Sequence, residues 1–287
     1  MELKSHGQYL SLDSFMGGAI RELTLSIDGI TKTVISPQEG YHYQSSLLFP
    51  FPNRLASGSF EFEGKNYQFP LNDFGLPNAL HGMLHDRTFE VKSLGDSHIE
   101  LVHIYKGELP YYPFPCEINL RYELISGGLS VKVTILNTGS SALPCVFGWH
   151  PYFNLPDDNE LGSLHMHGVD LIEVDEHMIP TGKMTPYRTL EEGAEISELK
   201  LDNCFKFVKK EDRNYTHLIY PDKSLLEVWQ DDQHPYVQVF TPDDRRTIAI
   251  EPMTGNINAL NTKEGLSLVE PQQSLVLCFG VSLSAPK

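Results

Sequence analysis

Period-two alternation of apolar and polar residues recurs from one end of this chain to the other, and it restricts the fold more than any other feature. Residues 22–27, 59–63 and 129–135 alternate, and 99–105, 118–124, 225–229, 236–241 and 274–283 also read as strands. Between them lie turn pairs: Asp28-Gly29, Glu63-Gly64, Gly127-Gly128, Thr138-Gly139, Pro242-Asp243 and Glu264-Gly265. Such short turns join antiparallel neighbours, because a parallel connection needs a longer crossover. Helical signal is confined to residues 190–199, where Gly193 weakens it. There is no heptad, internal repeat or low-complexity linker, and glycine and proline are spread over the loops. The expectation is an all-β chain, a large antiparallel β-sandwich forming one domain over residues 1–287. A broad curved sheet of that kind offers a concave face to a flat ligand.

Composition narrows the partners. With 22 basic residues against 38 acidic ones the net charge is −16. A polyanion is repelled by such a surface, so nucleic acid and an anionic membrane are not expected as partners. The N-terminal residues lack the apolar core of a signal peptide, and no apolar run is long enough to span a bilayer. The four cysteines, Cys116, Cys145, Cys204 and Cys278, are irregularly spaced and read as buried reduced thiols. A cytoplasmic monomer or weak homodimer is the expected state.

Polar residues at the ends of apolar runs are the candidates for chemistry. Glu251 ends Thr-Ile-Ala-Ile and precedes Pro252, which cannot donate to a ladder, so strand pairing is expected to stop at this carboxylate. It is either a solvated strand-end glutamate or, partly buried, a general base with a raised pKa. His150 ends Cys-Val-Phe-Gly-Trp and opens His-Pro-Tyr-Phe-Asn-Leu. It reads either as a strand cap or, with Tyr152, Phe153 and Asn154 beside it, as part of a sugar site that stacks and binds hydroxyls. His81 sits in a turn next to Gly82, which permits close backbone approach. Arg54 follows Pro52-Asn53 and offers a fixed fork of donors. Each of these, taken alone, also reads as an ordinary surface residue.

Competing motifs are weaker. His165 and His167 form a close pair, but neither His-Glu-x-x-His nor a cysteine-rich set accompanies them, so no metal site is expected. Asp157-Asp158 and Asp231-Asp232 lack the loop spacing of calcium ligands. Met16-Gly17-Gly18 does not make a phosphate loop, and no serine lies in a nucleophile elbow.

Together these residues resemble the aldose 1-epimerase (mutarotase) family over nearly the whole chain. The markers occur in family order: Asn53-Arg54 with Gly58 and Phe60, Leu80-His81-Gly82, His150-Pro-Tyr-Phe-Asn-Leu155, Asp202-Asn-Cys-Phe205, and Glu251-Pro-Met253 with Asn258-Ala259. The resemblance implies a galactose-mutarotase-type β-sandwich acting on a small sugar without a cofactor. It implies Glu251 as general base, His150 as general acid, and Arg54, His81 and Asp202 as holders of sugar hydroxyls. A non-catalytic sugar binder on the same scaffold would have no use for both His150 and Glu251. The hexose-6-phosphate branch carries arginine where this chain has His85, which points away from a phosphorylated substrate.

Overall fold

The alternating segments pair with their neighbours into two broad antiparallel sheets of the computed structural model, which describes residues 1–157, 160–209 and 211–286. Asp158, considered above as a calcium ligand, lies outside the described residues. The larger sheet has nine strands, ordered Glu90–Leu94, His98–Tyr105, Cys116–Ile125, Gly128–Asn137, Ser274–Ser284, Leu225–Asp231, Arg213–Ile219, Ser163–Met166 and Ala194–Glu195. The other has eight. Its path runs Pro180–Pro186, Val169–Val174, Asp202–Phe207, Tyr236–Phe240, Thr247–Met253, Gly148–His150 and Ser46–Leu48, and Tyr152–Asn154 also pairs with Thr247–Met253. A four-stranded N-terminal sheet (Glu2–Ser5, Gln8–Asp13, Ala19–Ile27, Ile30–Ile35), three two-stranded ribbons and the isolated bridges Phe49–Gly82 and Leu109–Tyr112 complete the pairing among the described residues.

Alternation decides which side chains fill the space between the sheets. From the nine-stranded sheet come Leu120, Val131, Val133, Leu277, Phe279 and Val281; from the other come Phe205, Val237, Val239, Ile248 and Ile250, all in one continuous core. Trp149 stacks on Phe279 at 5.1 Å between ring centres, tying the two layers together. The all-β antiparallel sandwich read from the sequence is the observed fold.

Three local expectations differ. Residues 190–199 form no α-helix: Ala194–Glu195 is an edge strand and Ile196–Glu198 a single 3₁₀ turn. Gly193 sits at φ +89°, outside the helical region, with a Cβ position that would collide with the His165 ring. Pairing also does not stop at Glu251, because the strand runs on through Pro252 to Met253 opposite Val237 and Tyr236. On its other side the register is interrupted: Tyr152–Asn154 pairs with residues 247–249 and Gly148 with Met253, leaving 250–252 free of a partner there. Finally, Cys116, Cys145 and Cys204 are buried free thiols, but Cys278 is only half-buried, on the outward face of its strand.

Candidate active site

The face of the eight-stranded sheet that turns away from the core forms the floor of a cleft of about 480 Å³. The same period that sends Ile248 and Ile250 into the core sends Glu251 to this face. Val237 and Val239 likewise leave Gln238 there, and Trp149 leaves His150. Gln238 stands directly across from Glu251, and Cys204, on the strand that begins with Asp202, directly across from Gln238. The Gln238 amide donates to Asp202 Oδ1 at 2.7 Å. His150 Nε2 lies 3.4 Å from Glu251 Oε1 across the interrupted register. Tyr152 packs its ring against the His150 imidazole at 4.9 Å.

A ribbon brings the remaining candidates over this floor. Arg54–Ala56 pairs with Asn78–Leu80, setting Arg54 opposite Leu80 and His81 just beyond it. The Asn53 backbone N–H donates to His81 Nδ1 at 3.1 Å, which leaves the His81 proton on Nε2. His81 itself has φ +63°, and Gly82 follows at φ +66° against the Phe49 carbonyl, where a Cβ would stand 2.2 Å from the oxygen. Arg54 Nε donates to Asp73 at 2.8 Å, and Asp73 also accepts from Asn78 at 2.9 Å. Asn258 anchors the ribbon from behind, donating its backbone N–H to Arg54 and accepting from Ala56. His81 meets His150 edge-on at 5.1 Å, and Tyr43 meets His81 edge-on at 4.7 Å.

Burial sets the electrostatics. Glu251 is 2% exposed and His150 7%. Desolvation, reinforced by the charge of Asp202 and opposed by Arg54, raises Glu251 well above the ordinary carboxylate value. Desolvation lowers His150 to about 4. It also lowers His81, helped by the neighbouring His150 and Arg54. Asp202, at the rim, is raised by desolvation against the pull of Arg54 and the Gln238 hydrogen bond. Glu251 Oε2, His150 Nδ1 and Gln238 Oε1 are buried polar atoms with no hydrogen-bond partner in the protein. Unsatisfied groups converging on one cleft are costly to a fold and are explained by a ligand that satisfies them.

All five residues singled out in the sequence, Arg54, His81, His150, Asp202 and Glu251, line this cleft. Of the expected companions of His150 only Tyr152 does. Phe153 is fully buried in the core, and Asn154 bonds to Ser36, Gln38 and Thr33 outside the cleft. Sequence reading missed Gln238, Asp73, which holds Arg54 from outside the lining, and the 40–43 strap, whose Tyr41 and Tyr43 close one side. Gln238 had a signal: it is the polar residue at the outward position of an apolar strand. Asp73 and the two tyrosines had none. His85 and Arg87 do not line the cleft but face separate depressions. His165 bonds to Ser163, and no cluster of three His, Cys, Asp or Glu suited to a metal occurs among the described residues.

Comparison with known proteins gives the same picture. The sequence profile of the family described as aldose 1-epimerase matches residues 16–277. The Escherichia coli K12 protein YihR, described as uncharacterised, is 28% identical over 286 residues, covering 96% of this chain and 90% of YihR. Human galactose mutarotase is 28% identical over 159 residues, which is 52% of this chain and 45% of that protein. A solved galactose mutarotase-like protein from Clostridium acetobutylicum shares the fold with a TM-score of 0.85 at 22% identity, over 99% of this chain and 94% of that one.

Proposed function

The chain belongs to the aldose 1-epimerase family, and from that premise we propose that it interconverts the α and β anomers of a free aldohexose, with Glu251 as base and His150 as acid. The observation that carries this reading is the buried pair itself, an imidazole nitrogen 3.4 Å from a carboxylate oxygen on the floor of a sugar-sized cleft. Two such groups span one hemiacetal. Glu251 takes the proton of the anomeric hydroxyl while His150 protonates the ring oxygen, so that the C1–O5 bond breaks and a carbonyl forms. Rotation about C1–C2 presents the other carbonyl face, and the reverse transfers close the ring and restore both groups.

The proton count fits. Desolvation pushes Glu251 up and His150 down, so burial favours the proton on the carboxyl over the ion pair. Carboxylate with imidazolium contains the same number of protons, so the reactive form arises by transfer within the pair and needs none from solvent. His81 Nε2–H and the Arg54 N–H groups not given to Asp73 or Asn53 are donors for sugar oxygens, Asp202 is an acceptor for a hydroxyl, and Tyr152 is an aromatic wall. A phosphorylated substrate is not supported. Arg54 already faces Asp73, and His85 and Arg87 lie outside the cleft.

The test is exchange of a freshly dissolved single anomer, followed by NMR or polarimetry with several aldohexoses. Wild type is expected to speed equilibration and Glu251→Gln to reduce it by at least about 10³-fold, comparable to losing a general base. A folded Glu251→Gln protein with the wild-type rate would refute the assignment of the base.

A further inference from the structure

The cleft contains more acid than its own cations neutralise. Besides the buried Glu251, three aspartates, Asp202, Asp243 and Asp244, line it, and among the described residues Arg54 is the one lining Lys or Arg. That guanidinium is turned to Asp73 behind it, and Asp244 is held by Tyr41 and Arg246. Among the described residues Asp202 has only the Gln238 amide as a hydrogen-bonding side-chain partner, and the Asp243 side chain has no hydrogen bond or ion pair. An independent observation points to a ligand at this place: Gln238 is 3% exposed, lines the cleft, and its Oε1 has no partner. One Nε2 hydrogen is given to Asp202, and the unpartnered Oε1 offers the cleft an acceptor.

The order of strands says which part of a sugar meets this acceptor. His150, Glu251 and Gln238 stand on three successive strands, and Asp202, on the fourth, lies opposite Phe240, two residues along from Gln238, and accepts the Gln238 amide. Neighbouring strands are ~4.8 Å apart, so the single step from Glu251 to Gln238 is on the scale of one pyranose ring, and the four strands together span more than one ring. The ring oxygen and C2 flank the anomeric carbon on opposite sides. With the ring oxygen at His150 and the anomeric hydroxyl at Glu251, C2 falls on the side of Gln238 and Asp202.

We propose, resting on the epimerase reading above, that the Gln238–Asp202 subsite takes a hydrogen-donating, positively charged substituent at C2, making 2-amino-2-deoxyaldoses in their ammonium form substrates of this cleft. An ammonium has three donors and no acceptor, matching Gln238 Oε1 and the Asp202 carboxylate, whereas a hydroxyl supplies one donor and no charge. An N-acetyl group removes the charge and adds an acceptor and bulk. The same acid surplus disfavours sugars carrying a carboxylate or phosphate.

Binding by calorimetry and anomer exchange by NMR, run separately with the full-length protein, test this with glucosamine, glucose, 2-deoxyglucose and N-acetylglucosamine. At low ionic strength and a pH where the amine is protonated, glucosamine is expected to bind about three- to tenfold more tightly than glucose, as for a partly shielded ion pair. The advantage should vanish as the amine is titrated, shrink with added salt, and be absent for the N-acetyl sugar. Asp202→Asn should bring the glucosamine-to-glucose ratio close to one, whatever it does to either affinity alone. Glucosamine no tighter than glucose, or a ratio unmoved by salt and by Asp202→Asn, overturns the proposal; the salt arm decides even if the variant does not fold. Catalysed exchange of glucose without an amine preference refutes this inference alone. An amine preference without catalysed exchange of any aldose refutes the epimerase reading instead.

Discussion

Glu251 is the residue at which function and stability oppose each other. A carboxyl removed from water, facing Asp202 and with one oxygen unpaired, is held in its protonated form above the ordinary 4.5. Unfolded, it releases that proton at its ordinary value. Between the two values the native state binds more protons than the unfolded state, so unfolding free energy falls as pH rises. Gln has the same shape and does not titrate. The unfolding free energy of Glu251→Gln relative to wild type is therefore expected to increase from about pH 4.5 toward neutrality, reaching a gain of ~1–2 kcal/mol at a site that costs stability for its chemistry. Calorimetry of both proteins over that range checks it. A constant difference would show that Glu251 titrates alike in both states. His150 has the opposite sign: lowered to about 4, it stays neutral while the unfolded chain takes up a proton near 6.5, so its burial costs stability as pH falls between those values.

At the scale of elements, the cleft is a sheet floor roofed by a ribbon, and the joint between them is Gly82. Its positive φ and the carbonyl of Phe49 leave no room for a side chain, and the Met83 N–H bonds to that same carbonyl at 2.8 Å. Gly82→Ala is expected to cost about 2–4 kcal/mol and to lower kcat/KM at least about tenfold, because His81 moves with the ribbon. Gly29→Ala is the control: φ is also positive but nothing lies within 4 Å, so only the strain of about 1 kcal/mol applies and activity stays. Urea midpoints and initial rates separate the two, and equal behaviour would deny Gly82 its role. The joint also shows what sequence reading reaches. Alternation is local, so the strands and the outward faces of Glu251, His150 and Gln238 were legible in residues two apart. The Arg54–Asp73 pair, the Asn53 N–H that sets the His81 tautomer, and the aromatic strap over His81 arise only when distant segments meet. The expected end of pairing at Pro252 failed for the same reason: what is interrupted is the neighbouring strand pair, not the strand that carries the proline.

For the molecule as a whole, the acid surplus that shapes the cleft extends over the surface, with 38 acidic residues against 22 basic. Like charges crowded on a folded surface repel, and the unfolded chain relieves that repulsion by expanding. Salt shortens the range of this repulsion, from roughly 30 Å at 0.01 M to about 10 Å at 0.1 M. Added sodium chloride over that interval is therefore expected to raise Tm, by ~2 °C or more if about 1 kcal/mol of repulsion is screened. Catalysis should separate by substrate under the same change. A neutral aldohexose is neither steered nor repelled, so its kcat/KM should move by less than about twofold, while an anionic sugar should gain as its exclusion weakens. A Tm that falls with salt would mean that attractive surface pairs such as Lys32–Asp222 and Arg121–Glu100 outweigh the net charge. Those pairs are largely surface contacts of the kind worth about 0–1 kcal/mol each, too few to offset a surplus of sixteen acidic groups. The rise in Tm is accordingly the outcome that the charge balance requires.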